Sequence, residues 1–231
     1  MWKLSKVLAV IPAREGSRGI TNKNERIING KSLVEWAISV AKELDVIDKT
    51  VVTTNSVSIG NKSVVAGADV IVRPSYLSQG ETGSSVNTWH HAWHEIEKRE
   101  FESYNISVLL EPTSPNRLPV DIIRAMEALE LHETAAAVTS SRHYDPVKIM
   151  QHLVDNRIQT IFSPDMIERL YNGFTKNCFL NPNGACYAST KEGVYLNKRL
   201  FHDCFPVYID RPLANIDETF DLEYAEWLMS R

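Results

Sequence analysis

The sequence has little cysteine, no surplus of positive charge and no long apolar run. Cys178, Cys186 and Cys204 are odd in number, widely spaced and without a CxxC pair. That excludes a disulfide scaffold or zinc ribbon and fits a reducing cytosol. Twenty-five Lys and Arg against twenty-nine Asp and Glu leave a net charge of −4, so no basic surface awaits nucleic acid or anionic lipid. The first apolar run, Val7 to Ile11, is too short for a signal peptide or a membrane span. No charge block, low-complexity tract or fixed-period repeat points to a disordered tail or a solenoid. What is present, 231 residues with 43% hydrophobic and 23% charged, is globular composition with enough apolar mass for a core. The expectation is a soluble cytoplasmic protein.

Short apolar runs alternate with helical patterns through the first 140 residues. Val7–Ile11, Thr50–Thr54, Asp69–Val72, Ile106–Leu110 and Ala135–Thr139 read as buried strands. Leu33, Trp36, Ala37, Val40 and Leu44 share one helical face, as do Val86, Trp89, His90 and Trp93, and again Ile122, Met126 and Leu129. Such alternation implies right-handed crossovers and a three-layer α/β domain with a mainly parallel sheet, which binds ligands at the carboxyl ends of its strands. After residue 140 the rhythm changes. Lys148–His152 and the run to Ile161 predict a hairpin, 163–182 is irregular and polar, Asn183–Tyr187 and Val207–Ile209 read as strands, and Phe220–Met229 reads as an amphipathic helix. The whole chain, 1–231, is one domain with an insertion near 141–182. Phe162, Leu170, Tyr171, Phe174 and Phe179 make that insertion too apolar for a solvent loop and predict a dimer contact.

The first strand runs into Pro12-Ala-Arg-Glu-Gly-Ser-Arg-Gly-Ile-Thr-Asn-Lys-Asn24. Two glycines let backbone N–H groups turn toward a polyanion. Arg14, Arg18 and Lys23 add positive charge and Ser17 a hydroxyl, which together make a triphosphate cradle; a solvated Gly/Ser turn with surface arginines is the plainer alternative. Asn29-Gly-Lys-Ser32 mimics a Walker A motif, but the glycine needed at position 25 is Glu25, and Gly30 opens a helix with Ser32 as its N-cap. His90 and His94 are spaced as metal ligands four apart on a helix, yet no third ligand accompanies them, which favours a structural role.

IPAREGSRGITNKN resembles the N-terminal signature of the acylneuraminate cytidylyltransferases, the CMP-sialic acid and CMP-nonulosonate synthetases. VIVRPSYLSQGETGSS, LLEPTSPNR, PNGACYAS and NIDETFDLEYAE follow in the family's order, so the resemblance runs from Val7 to Glu226. It implies a nucleotide-diphospho-sugar transferase fold, CTP and a 2-keto-3-deoxy sugar acid as substrates, Mg²⁺ as the metal, and a homodimer.

By motif position, the resemblance assigns Arg14, Ser17, Lys23 and Asn24 to the triphosphate, with Arg14 and Lys23 gathering charge on the leaving pyrophosphate. Arg73, Ser84 and Ser85 fall at base- and ribose-contacting positions, although Ser84 also suits the N-cap of the following helix, and both roles can hold together. Lys148 and Asn183 match positions that face the sugar; Lys148 is alternatively an exposed strand lysine, and Arg169 joins the set with altered spacing. Asp217 matches a Mg²⁺ carboxylate and a catalytic position, and Asp221 a helix cap. Arg18 and Asn22 depart mildly from the family, standing where Lys and Gly are common, and two further residues depart in later segments: Glu111 stands where Gln is usual and Asn215 where Asp is usual. One negative charge thus leaves the late segment and one appears after strand 106–110, so the expectation is that Glu111 and Asp217 share Mg²⁺, with Asn215 giving a neutral oxygen. The alternative is that Glu111 contacts sugar hydroxyls or an amino group. A Kdo-type enzyme ranks second, because its QGDEP-like segment is replaced here by Glu111-Pro-Thr-Ser-Pro115. A catalytically silent sugar-nucleotide-binding protein stays open through Asn215.

Overall fold

A computed structural model of the chain describes residues 5–16, 19–78, 84–143, 150–152, 158–160, 163, 165, 168, 179–196 and 204–231. The strands are β1 Val7–Pro12, β2 Ile27–Ile28, β3 Lys31–Ser32, β4 Lys49–Thr54, β5 Asp69–Val72, β6 Ile106–Leu109, β7 Ala136–His143, β8 Met150–His152, β9 Ile158–Thr160, β10 Phe179–Thr190 and β11 Phe205–Tyr208. The helices are α1 Leu33–Lys42, α2 Val57–Val65, α3 Ser85–Glu100, α4 Pro119–Leu131, α5 Lys191–Leu196 and α6 Thr219–Met229.

Seven strands form one sheet in the order β11-β7-β10-β6-β1-β4-β5. Only β10 runs antiparallel to its neighbours, β6 and β7. The two-residue period of β1 explains the three layers: Val7, Ala9 and Ile11 pack with α1 and α4 on one face, while Leu8 and Val10 pack with α3 on the other. Trp89 and Trp93 fill the α3 side, and the indole N–H of Trp89 donates to Ser107 Oγ at 2.8 Å. A third, smaller cluster joins Ile20, Ile28 and Leu33 to Ala214, Ile216 and Ala225, so the end of the loop after β1 rests on the C-terminal segment.

Three expectations needed revision. Gly30, with φ +81, turns the β2–β3 hairpin, and α1 begins after it with Ser32 as its N-cap, paired with Glu35 in a capping box. β10 starts at Phe179 rather than Asn183, because a register shift between Pro182 and Tyr187 carries the strand past its proline. α2 and α5 were not anticipated. The hairpin after residue 148 is present as β8 paired with β9. The remainder of the predicted dimer insertion, with Phe162, Leu170, Tyr171 and Phe174, lies outside the described residues. Among the described residues no helix is long and apolar enough to cross a membrane.

Candidate active site

The loop after β1 is anchored from three sides. Ala13 N donates to Thr53 O at 3.0 Å and Glu15 N to Asn55 Oδ1 at 2.9 Å, which fixes its entry beside β4. Asn24, buried, donates through Nδ2 to Arg14 O at 2.9 Å and thereby ties the two ends of the loop together. Arg14 reaches across to Ser78 O at 3.1 Å. Lys23 Nζ donates to Ile216 O at 2.7 Å and pairs with Asp217 Oδ1 at 2.9 Å. Gly19 lies against the same segment, where a Cβ would meet Asp217 O at 2.2 Å, so only glycine permits this approach. Ser17 and Arg18 lie outside the described residues.

Arg73 follows β5 and is 5% exposed. Its guanidinium donates to Thr53 O at 2.9 Å, while Nε has no partner among the described residues. Burial, then the neighbouring Arg14 charge, pushes its pKa down to about 10. Thr53 Oγ1, Ser78 Oγ, Thr88 Oγ1 and His91 Nδ1 are likewise buried without partners there. Ser84 is the N-cap of α3, accepting from Asn87 N at 3.2 Å. Ser85 sits one residue on, and its hydroxyl lies 3.3 Å from Glu111 Oε1. His90 and His91 are held below the usual imidazole range, first by burial; neighbouring positive charge adds to this at His90, and at His91 Glu95 opposes it while Arg73 and His94 reinforce it. Among the described residues no three His, Cys, Asp or Glu side chains are placed to hold a metal ion.

Glu111, Asn215 and Asp217 do come to one edge of the sheet. Ile216 N donates to Thr113 O at 2.8 Å, which sews the late segment to the loop after β6. Gly184, with φ +73, leaves a cradle: a Cβ there would lie 2.9 Å from Ser114 Oγ, 3.3 Å from Asn215 Oδ1 and 3.4 Å from Glu111 Oε2. Burial raises the Glu111 carboxyl above the glutamate range, against the pull of Arg117 and the Ser85 hydroxyl. Asn183 is buried and works within the β10 bulge. Its Oδ1 lies 2.7 Å from Thr139 Oγ1 and accepts from Ala185 N at 3.2 Å, while Nδ2 donates to Ser141 Oγ at 3.0 Å. Asp221 accepts from Asp217 N and Glu218 N, both at 2.8 Å, as a helix cap. Lys148 and Arg169 lie outside the described residues. Sequence reasoning passed over Arg117, although it closes the LLEPTSPNR segment.

A family model described as cytidylyltransferase matches residues 8–88, which carry the phosphate loop, Arg73, Ser84 and Ser85. The chain is 31% identical over 228 residues to an N-acylneuraminate cytidylyltransferase of Escherichia coli O18:K1:H7. It is 26% identical over 227 residues to a CMP-N,N'-diacetyllegionaminic acid synthase of Legionella pneumophila. The chain is thus similar to the acylneuraminate cytidylyltransferases over nearly its whole length. The match covers 96% of this chain and 51% of the E. coli relative, so the chain spans about half of that protein; for the Legionella relative the shares are 97% and 94%. A solved CMP:2-keto-3-deoxy-manno-octonic acid synthetase complexed with CTP superposes with a TM-score of 0.71 at 16% identity, covering 98% of this chain and 99% of that one. The architecture is the nucleotide-diphospho-sugar transferase fold, and the family's five segments now have places in it. The first two flank β1 and β5, the third follows β6, the fourth is the β10 bulge, and the last enters α6.

Proposed function

We propose that the chain transfers a cytidylyl group from CTP to a 2-keto-3-deoxy sugar acid, a sialic acid or related nonulosonate, and releases pyrophosphate. One observation carries this reading. Arg14 and the buried Arg73 stand within electrostatic reach of one another, and neither pairs with a carboxylate among the described residues. Like charges held together in a partly dry cleft call for an anionic ligand. The E. coli and Legionella relatives are named for acylneuraminate and legionaminic acid, which supports a nonulosonate as acceptor.

In the proposed reaction the anomeric oxygen attacks the α-phosphorus. The sugar–phosphate bond forms as the α–β bridge breaks, and the hydroxyl proton is released. Little covalent work falls to the protein, so catalysis rests on alignment and charge neutralisation. Arg14 and Lys23 gather the charge that grows on pyrophosphate, for which Lys23 must leave Asp217. Asn24 keeps the loop closed behind Arg14. Arg73, Ser84 and Ser85 face the nucleoside; the Ser84 oxygen is occupied by its cap, so its contribution is the O–H it still has to give. Lys148 and Asn183 are assigned to the sugar acid. Mg²⁺, when bound, supplies neutralisation of the triphosphate. Glu111, Asp217 and Asn215 would hold it, and the Gly184 cradle between a carboxylate and an amide oxygen suits a hard cation.

The reading extends to action in the cytosol, where CTP is supplied, and to a homodimer formed through 141–182, supported by Phe162, Leu170, Tyr171, Phe174 and Phe179 in that stretch. Light scattering at micromolar protein tests the dimer, and a monomer overturns it. Pyrophosphate release with CTP, Mg²⁺ and a panel of nonulosonic and octulosonic acids tests the activity. Release with a nonulosonate supports it, release with the octulosonate alone shifts the acceptor to the Kdo type, and none with any acid leaves a silent binder.

A further inference from the structure

One buried charge has no part in that mechanism. Arg117 is 2% exposed at the end of the loop after β6. Its Nε donates to Ala185 O at 2.6 Å, and its NH2 donates to Gly184 O at 3.3 Å and to Glu111 O. NH1 is buried with no partner among the described residues. A single planar fork thus binds the main chain of both segments that wall the Gly184 cradle, a geometry that a lysine cannot copy.

A guanidinium so buried needs a counter-charge. The other carboxylate that acts on it is already engaged: Asp121 pairs with Arg211 and accepts from Leu118 N. Glu111 is the acid left over. Its Oε1 lies 3.3 Å from the Ser85 hydroxyl, and the Arg117 guanidinium, bonded to the Glu111 main-chain oxygen, acts on the carboxyl through space rather than by a direct ion pair. We propose that Arg117 is a positioning residue for Glu111: its fork fixes the two backbone segments, and its charge keeps the Glu111 carboxylate between Ser85 and Gly184. The inference rests on the cytidylyltransferase reading only where turnover is measured.

A double-mutant cycle with Glu111→Gln and Arg117→Met tests it on the full chain, in turnover and in urea midpoint. Arg117→Met alone should cut kcat at least tenfold with KM for CTP within twofold, because the phosphate loop is untouched. In the Glu111→Gln background it should cut kcat less than threefold further, since a neutral amide needs no counter-charge. Fold-losses that multiply in the double variant, or a KM for CTP that rises in step with the loss of kcat, overturn the proposal. If Arg117→Met fails to fold, recovery of folding in the double variant supports it and continued failure overturns it. Arg117→Lys, which keeps the charge and loses the fork, should fall between wild type and Arg117→Met in kcat; a value as low as Arg117→Met counts against the charge. The cycle in urea midpoints needs no turnover, so it remains decisive even if no sugar acid releases pyrophosphate.

Discussion

Lys23 and Asp217 lie 194 positions apart in the chain and meet in an ion pair of 2.9 Å. The lysine also holds Ile216 O, and Gly19 rests on the Asp217 carbonyl, so the phosphate loop is folded down on the late segment. In this state Lys23 and Asp217 neutralise each other. Under the proposed function, binding CTP with its metal would exchange this one internal pair for two external ones, which would couple the two ligands.

The Asp217 side chain is 72% exposed, so the pair adds at most about 1 kcal/mol to folding. Asp217→Asn should therefore melt within a few degrees of wild type while turnover falls about a hundredfold. Thermal denaturation run beside a pyrophosphate assay checks both halves; a large loss of stability would show the pair to be structural instead.

Gly19→Ala tests the packing of the loop directly. A Cβ 2.2 Å from a main-chain oxygen has no flexible neighbour to displace, so the loop must lift from residues 215–217. A shift of about 1 Å at reacting groups costs on the order of a hundredfold in rate. The expected result is a large fall in kcat with a native circular dichroism spectrum, and near-normal kcat counts against the docked loop.

Arg14 has no carboxylate partner to lose among the described residues, and its one bond, to Ser78 O, is replaceable by water. Arg14→Ala should leave the urea midpoint almost unchanged and lower turnover by roughly a hundredfold, about 3 kcal/mol of stabilisation of developing charge. Steady-state kinetics with varied CTP would expose a wrong assignment as unchanged kcat.

The parallel core was legible because Val7–Ile11 is an uninterrupted apolar run and Thr50–Thr54 and Asp69–Val72 are short runs rich in β-branched residues. α2 was not, for a physical reason. Its sequence, VSIGNKSVV, has a central glycine and β-branched residues, and it buries only Ile59 and Ser63 while Val57 and Val65 face solvent. Helical periodicity cannot show in a helix that packs so little. The Ser84 cap and the Asp221 cap were legible from local pattern. The partners of Lys23, Asn183 and Arg117 were not, because each is set by strand order: β10 brings Asn183 and Gly184 between residues 111–117 and 139–141, which no spacing reveals.

His90 and His91 give the fold an acid limit. Both sit below the ordinary imidazole value of 6.5 because burial disfavours the imidazolium. Between 6.5 and their lower folded values the unfolded chain binds more protons, so stability is full above about pH 6.5 and drains away as pH falls. Glu111, shifted upward, acts with the opposite sign and favours the fold at low pH. Urea midpoints should fall from pH 7.5 to 5.5 in wild type and fall less in a His90→Gln/His91→Gln variant. A wild-type midpoint that is flat across that range would refute the assignment.

The displaced negative charge offers the sharpest test of the metal site. Glu111 Oε2 and Asn215 Oδ1 flank one point above Gly184, 3.4 and 3.3 Å from where a Cβ would stand. A carboxylate at either residue therefore presents an oxygen to the same cradle. Glu111→Gln removes the charge from one side, and Asn215→Asp returns it on the other, with no change in the number of oxygen donors. If Glu111 and Asp217 hold Mg²⁺, the single change should raise the Mg²⁺ needed for half-maximal rate by about tenfold to a hundredfold, and the second change should recover most of that loss. If Glu111 instead receives a hydroxyl or amino group of the sugar acid, the Mg²⁺ dependence stays put, the preference among sugar acids shifts, and Asn215→Asp rescues nothing. Magnesium titrations at saturating CTP, repeated with two sugar acids that differ in their amino substituents, separate these outcomes. Asp217 supplies the internal control: neither substitution alters it, so Asp217→Asn should remain strongly impaired whichever residue carries the second charge.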